Sequence, residues 1–203
     1  PMGLGKKDHI RNLFGLDTAA KQWKQQHGRD WTEDDVETLY QAFTPLQVEE
    51  AKKLSQLIPG VADCFETLKS RGIAVGSSTG YPRVVAEPTV ELAAGQGYIP
   101  EATVCADEVP AGRPAPWMIF RNMEQLGVFP PSTVLKVGDT VPDIQAGRNA
   151  GVRTIGITRT GSEVGLPLED WEQLEPDSKH AALEQAEQVL RQAGANDVLE
   201  SIS

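Results

Sequence analysis

Hydrophobic residues recur along this 203-residue chain with two different spacings, and the spacing changes near Pro59. Before that point apolar side chains fall three or four positions apart, as on one face of an amphipathic helix. After it, short apolar runs alternate with helical segments, which is typical of a parallel α/β domain. The pattern predicts a helical domain over residues 1–57 and an α/β domain over residues 58–203.

Short runs rich in β-branched residues predict the strands of the second domain. The predicted strands cover residues 73–77, 102–106, 134–137, 153–157 and 197–200. Four of them are separated by helical segments, so right-handed crossovers and one doubly wound parallel sheet are expected. Pro45 and Pro88 fall inside helical patterns and are expected to kink or break them.

The segment Val134–Ile144 combines an apolar strand with two carboxylates at its carboxyl end. Open α/β sheets bind ligands at this edge, and Asp139 and Asp143 are oxygen donors of the kind that Mg²⁺ prefers. Gly138 is expected to let the backbone approach a ligand closely. The alternative is structural, with Asp139 as a helix N-cap and Asp143 in the first turn.

Two further polar groups are predicted at the same edge of the sheet. Ser78-Thr79-Gly80-Tyr81 follows a strand, and its hydroxyl and backbone N–H groups are suited to phosphate oxygens, although such a loop also forms plain turns. Arg113 precedes a helix and can neutralise a phosphate. Its alternative role is an ion pair with Asp107 or Glu108.

The first residues carry Met2, Lys6 and His9 on one face of a predicted helix. A lysine whose pKa is lowered by burial and nearby positive charge can form a Schiff base with a carbonyl substrate. The alternative is a solvated surface lysine.

Composition excludes several classes of partner. A formal net charge of −10 argues against a nucleic-acid backbone as ligand. No apolar run is long enough to span a membrane, and no signal peptide is visible. Cys64 and Cys105 lie far apart, which favours free thiols and a cytoplasmic location.

Four segments together resemble the phosphonoacetaldehyde hydrolase (phosphonatase) family of the haloacid dehalogenase superfamily. They are Met2–His9, Ser78–Tyr81, Val109–Met118 and Lys136–Thr140. The resemblance covers nearly the whole chain, and Met2–His9 separates this family from generic superfamily phosphatases. It implies a Rossmann-like core with a helical cap, cleavage of a carbon–phosphorus bond, a small phosphonate substrate and Mg²⁺.

The resemblance also implies a role for each matching residue. Lys6 would form the Schiff base with the aldehyde, and Met2 and His9 would assist proton transfer. Thr79 and Gly80 would hold phosphonate oxygens with Tyr81 nearby. Arg113 would balance negative charge. Asp139 would bind Mg²⁺, and Asp143 would support that site.

The chain departs from the family pattern at two places. The family's nucleophilic aspartate lies on a first strand before the cap, which this sequence lacks, and Asp8 and Asp17 lie in helices that cannot replace it. The chain is therefore expected to be N-terminally truncated and inactive alone. The second departure is Ala115, where the family usually has tyrosine.

Two other readings remain open at this point. One is a superfamily phosphatase or phosphoglucomutase-like enzyme acting on a phosphate ester, and the other is an inactive fragment or binding protein. The family also pairs through its cap helices, which makes the apolar face around Trp23, Val36 and Tyr40 a candidate homodimer surface. An intramolecular core accounts for the same residues equally well.

Overall fold

The computed structural model describes residues 5–202, so Met2 of the predicted site lies outside the described residues. Helices and strands follow the order that the sequence pattern predicts. The helices are α1 (Lys6–Phe14), α2 (Asp17–His27), α3 (Glu33–Lys53), α4 (Val61–Ser70), α5 (Arg83–Ala94), α6 (Trp117–Leu126), α7 (Val141–Ala150), α8 (Leu168–Gln173) and α9 (Pro176–Ala193). The strands are β1 (Gly76–Thr79), β2 (Ala102–Cys105), β3 (Leu135–Gly138), β4 (Arg153–Ile157) and β5 (Asp197–Leu199).

Helices α1, α2 and α3 pack around a small aromatic core. The ring of Phe14 stacks on Trp31 at 5.2 Å and meets Trp23 edge-on at 4.9 Å between centroids. Thr32 and Asp35 form a capping box that fixes the start of α3. The proposed division of the chain after residue 57 falls in the segment between α3 and α4.

Neither internal proline ends its helix. Pro45 lies within α3 and Pro88 within α5, so the expected breaks are absent. Each proline removes one backbone hydrogen bond from its helix, but α3 and α5 pack against each other. That tertiary packing outweighs the local cost.

All strand pairs in the described residues are parallel, which confirms the α/β fold class. They form two sheets, β1-β2 and β3-β4-β5, and not the single sheet expected from the sequence. Within residues 5–202, β1 and β3 do not pair with each other. Helix α6 contacts β1, β2 and α7, and so connects the two sheets.

The first strand begins three residues later than predicted. Ile73 is 48% exposed and precedes β1, whereas Ser78 and Thr79, expected in a loop, belong to the strand. Helices α6 and α7 cover the sheets through a buried cluster formed by Ile119, Met123, Ala146, Ala150 and Val152. Among the described residues, no helix has the length and apolar character needed to cross a bilayer.

Candidate active site

Arg113 connects the carboxyl ends of the two sheets. Its Nη2 donates to the Ser78 carbonyl at 2.6 Å, and its Nε and Nη1 lie 3.2 and 3.3 Å from the carboxylate of Asp143. The alternative pairing with Asp107 or Glu108 is wrong, because Arg83 takes both of those carboxylates. The structure therefore brings together Arg113, the end of β1 and the start of α7.

Asp143 is buried and both of its oxygens are engaged. Lys136 Nζ lies 2.7 Å from Oδ1, and the Thr140 hydroxyl donates to Oδ2 at 2.7 Å. Burial acts to raise the pKa of Asp143, but the charges of Lys136 and Arg113 together hold that pKa below its ordinary value. The carboxylate stays ionised and has little room for another ligand.

Lys136 was not assigned to the site by sequence reasoning. It lies on β3 with its side chain 14% exposed, and burial lowers the pKa of its ammonium group below the ordinary value. A lysine between the apolar residues of a short strand is rarely buried unless it is paired, and its position in the sequence is the signal that could have identified it.

Asp139, at the end of β3, is hydrogen-bonded through one of its two carboxylate oxygens. The backbone N–H and the hydroxyl of Ser162 donate to its Oδ2 at 2.9 and 2.8 Å. No hydrogen bond to Oδ1 is formed by the described residues. Ser162 lies in the loop after β4, far from Asp139 in sequence, so no local pattern indicates it.

Gly138 is required by the packing of Asp143, and the close approach of a ligand at this position stays a prediction. A Cβ at position 138 would lie 2.4 Å from the Cβ of Asp143. The alternative in which Asp139 caps a helix and Asp143 lies in its first turn is right for Asp143 only. Thr140 is the N-cap of α7, whereas Asp143 does occupy the first turn.

A cavity of about 690 Å³ lies between α3 and the end of β1, and Lys6 lines it. The Nζ of Lys6 lies 5.7 Å from the ring centroid of Phe43 and 5.9 Å from that of Tyr81. Ser78 and Thr79 line the same cavity, and the Thr79 hydroxyl accepts a hydrogen bond from the Tyr81 N–H at 3.1 Å. Gly80 directly follows β1.

Burial lowers the pKa of Lys6 below its ordinary value. His9, one turn later on α1, has its pKa lowered by burial and by the charge of Lys6. Both effects favour neutral side chains, as nucleophilic and proton-transfer roles require.

Gln47 on α3 lines the cavity and was not identified by sequence reasoning. Its side chain is only 7% exposed, and its Oε1 has no hydrogen-bond partner. It lies one helical turn from Phe43, so a buried amide faces the same cavity.

The donor set fits a divalent cation only in part. Within residues 5–202, no three carboxylate, imidazole or thiol groups are placed so that together they could hold a metal ion. Oδ1 of Asp139 is available to a metal, whereas both oxygens of Asp143 already have cationic or hydroxyl partners. The described residues thus offer one carboxylate ligand supported by a second, buried carboxylate.

The chain is similar to known proteins over its whole length. A family model described as haloacid dehalogenase-like hydrolase matches residues 2–151. Phosphonoacetaldehyde hydrolases from Nitratidesulfovibrio vulgaris and Hahella chejuensis are 40% and 38% identical over the whole chain, which spans 72% and 69% of their lengths.

The crystal structure of a phosphonoacetaldehyde hydrolase-like protein from Oleispira antarctica matches all of the chain with a TM-score of 0.97 and 40% identity, over 73% of that protein. A predicted phosphoglycolate phosphatase from Haemophilus somnus has a TM-score of 0.69 at 21% identity, covers 99% of this chain and 76% of its own, and shows the fold alone. The chain belongs to the haloacid dehalogenase-like hydrolases and, within them, to the phosphonoacetaldehyde hydrolase family.

Proposed function

We propose that this protein hydrolyses the carbon–phosphorus bond of phosphonoacetaldehyde to acetaldehyde and phosphate, within the degradation of 2-aminoethylphosphonate. The observation that carries the proposal is the shared cavity, in which Lys6 from the helical segment faces Thr79 at the end of β1. A phosphate-ester hydrolase needs no amine at that position. A C–P hydrolase does need one. When the C–P bond breaks, the electron pair stays on carbon, and an imine formed by the amine delocalises it.

We assign the Schiff base to Lys6. Its neutral amine adds to the aldehyde carbon, and uptake of a proton with loss of water gives a protonated imine. When the C–P bond breaks, its electron pair enters the imine and forms an enamine, while the phosphoryl group passes to a carboxylate. Protonation at carbon and hydrolysis of the imine then release acetaldehyde, and water releases phosphate. His9, one turn from Lys6, and Met2 are proposed to assist these proton transfers.

The phosphonate oxygens are assigned to the end of β1. Thr79 and Gly80 supply the hydroxyl and backbone N–H donors, Tyr81 lines the wall, and Arg113 supplies positive charge across the gap between the sheets. Among the described residues, none is assigned as the phosphoryl acceptor. Asp8 and Asp17 lie on α1 and α2, and Asp139 and Asp143 have other roles.

We propose Asp139 as a ligand of Mg²⁺ through Oδ1. A bound Mg²⁺ would offset the negative charge of the phosphonate. Asp143 is proposed to support the site by holding Arg113, because both of its oxygens are already engaged.

A homodimer through the helical segment and a cytoplasmic location remain part of the proposal. Of the residues predicted for the dimer surface, Val36 is only 1% exposed within a single chain and is not available to a partner. Exposed apolar side chains on α1 and α3, among them Leu13 and Leu39, provide an alternative face. Sedimentation velocity of Leu39→Lys against wild type tests this assignment.

Reductive trapping tests the function directly. Incubation with phosphonoacetaldehyde and borohydride is expected to add a stable adduct at Lys6, located by peptide mass spectrometry. Lys6→Arg should abolish the adduct because a guanidinium does not form the imine. Lys7→Arg is the matched control, since Lys7 pairs with Glu37 on the outer surface, and it should keep the adduct. An adduct at Lys7, or none at all, would contradict the proposal.

A further inference from the structure

Lys136 and Arg113 both contact the carboxylate of Asp143, at different distances. Lys136 Nζ approaches Oδ1 at 2.7 Å, whereas the nearest nitrogens of Arg113 lie 3.2 and 3.3 Å away. The side chains of Asp143, Arg113 and Lys136 are only 3%, 11% and 14% exposed. Water therefore screens these charges weakly.

One carboxylate can balance only one of the two positive charges. Because its contact is shorter, Lys136 is the cation that the Asp143 carboxylate balances. The positive charge of the Arg113 guanidinium is then left without a counter-charge. The same guanidinium extends in the other direction to Ser78, at the end of β1 and on the wall of the cavity.

We propose that Lys136 is a positioning residue that takes up the charge of Asp143 and so keeps Arg113 available to an anionic ligand. This inference rests on the proposed function, in which Arg113 faces a phosphonate. Without Lys136, the guanidinium would pair fully with Asp143, and the site would lose most of its positive charge. Lys136 itself need not touch the ligand.

The fold holds Lys136 in this position. Its stem leaves β3 beneath α7, where Gly147 provides the space. A Cβ at position 147 would lie 3.2 and 3.3 Å from the Cβ and Cγ of Lys136. The ammonium group is therefore directed along α7 towards Asp143 at its first turn.

Binding of inorganic phosphate to the purified chain, followed by calorimetry, tests the inference. Lys136→Met should weaken phosphate binding by about tenfold or more, as expected for loss of a charge-assisted contact. The double variant Lys136→Met/Asp143→Asn should return to within about threefold of wild type, because no carboxylate then neutralises the charge of Arg113. Arg113→Met should show how weak phosphate binding becomes without the anion site. Lys52→Met removes a positive charge from the surface and should bind phosphate as wild type does.

Each result is decisive. If Lys136→Met binds phosphate as wild type does, or the double variant stays as weak as the single one, the inference is overturned while the proposed function stands. If neither wild type nor Arg113→Met binds phosphate, both the proposed anion site and the inference are overturned. Lys136→Gln replaces Lys136→Met if the latter does not fold. If neither folds and the double variant does, the ion pair is structural and the inference is overturned.

Discussion

In the proposed Mg²⁺ site, the orientation of the Asp139 carboxylate depends on Ser162. Its N–H and hydroxyl both bind Oδ2, which leaves Oδ1 for a cation. Groups that orient a metal ligand in this way typically change affinity by about 10- to 100-fold when removed. Ser162→Ala retains the backbone bond, so we expect a loss near tenfold in Mn²⁺ affinity, measured by electron paramagnetic resonance.

Two companion variants separate orientation from stability. Ser162→Thr keeps the hydroxyl and should bind Mn²⁺ as wild type does. Thr160→Ala, in the same loop, should leave affinity unchanged. Equal affinity of Ser162→Ala and wild type would show that Asp139 is oriented without the hydroxyl.

Lys6 gives a prediction of pH dependence at the same scale. Burial lowers the pKa of Lys6, so its neutral amine becomes abundant at a lower pH than for a free lysine. As pH rises through that lowered pKa, the rate of reductive trapping at Lys6 should rise and then level off. A profile that follows a model peptide lysine, with a midpoint near pH ~10.4, would contradict the effect of burial.

At the scale of elements, the packing of α7 on its sheet depends on Gly147. A methyl group there would lie 2.3 Å from Cγ2 of Thr154 on β4, and the neighbouring stem of Lys136 blocks any easy shift. Overpacking of this kind usually costs about 1–3 kcal/mol, more than alanine gains as a helix former. Gly147→Ala should therefore lower the free energy of unfolding in urea.

Gly95→Ala provides the matched control for Gly147→Ala. Gly95 ends α5 with φ −61°, and the nearest atom to an added Cβ is a backbone oxygen at 3.5 Å. The free energy of unfolding of this variant should stay within about 0.5 kcal/mol of wild type. Comparable losses in both variants would show that helix packing is not the cause.

The strands show where sequence reasoning succeeds and where it fails. The predictions for β4 and for β3 agree with the structure to within one residue, because glycine or polar residues bound each short apolar run. The prediction for β1 failed because its apolar residues, beginning with Ile73, are not the ones that pair. Pairing with β2 decides the register, and such a contact is not encoded locally.

The same distinction applies to the site. Asp139 follows a strand, Thr79 ends one and Arg113 precedes a helix, so their place at the sheet edge could be predicted. The roles of Lys136 and Ser162 depend on partners that folding brings close, and the role of Gln47 depends on the cavity that it lines. No periodicity or motif indicates those partners.

At the scale of the whole molecule, the described residues form two parallel sheets joined by few elements. Helix α6 packs on β1 and β2 and also meets α7, while Arg113 spans from Ser78 to Asp143. The ion cluster around Asp143 is therefore a point where the two halves of the α/β region are held together. Its loss should affect the stability of the whole fold.

Acid stability tests this role of Asp143. The charges around Asp143 outweigh burial and lower its folded pKa, so its contribution is present above the unfolded pKa of about 3.9 and is lost as pH falls through the folded value. Asp143→Asn leaves two buried cations unpaired and should lower the free energy of unfolding at pH 7 by about 3–5 kcal/mol. Its stability should then change less between pH 5 and pH 3 than that of wild type. We expect Asp177→Asn, at the exposed start of α9, to keep the wild-type dependence in urea titrations across this range. Parallel curves for Asp143→Asn and wild type would instead place the acid-sensitive contacts elsewhere in the molecule.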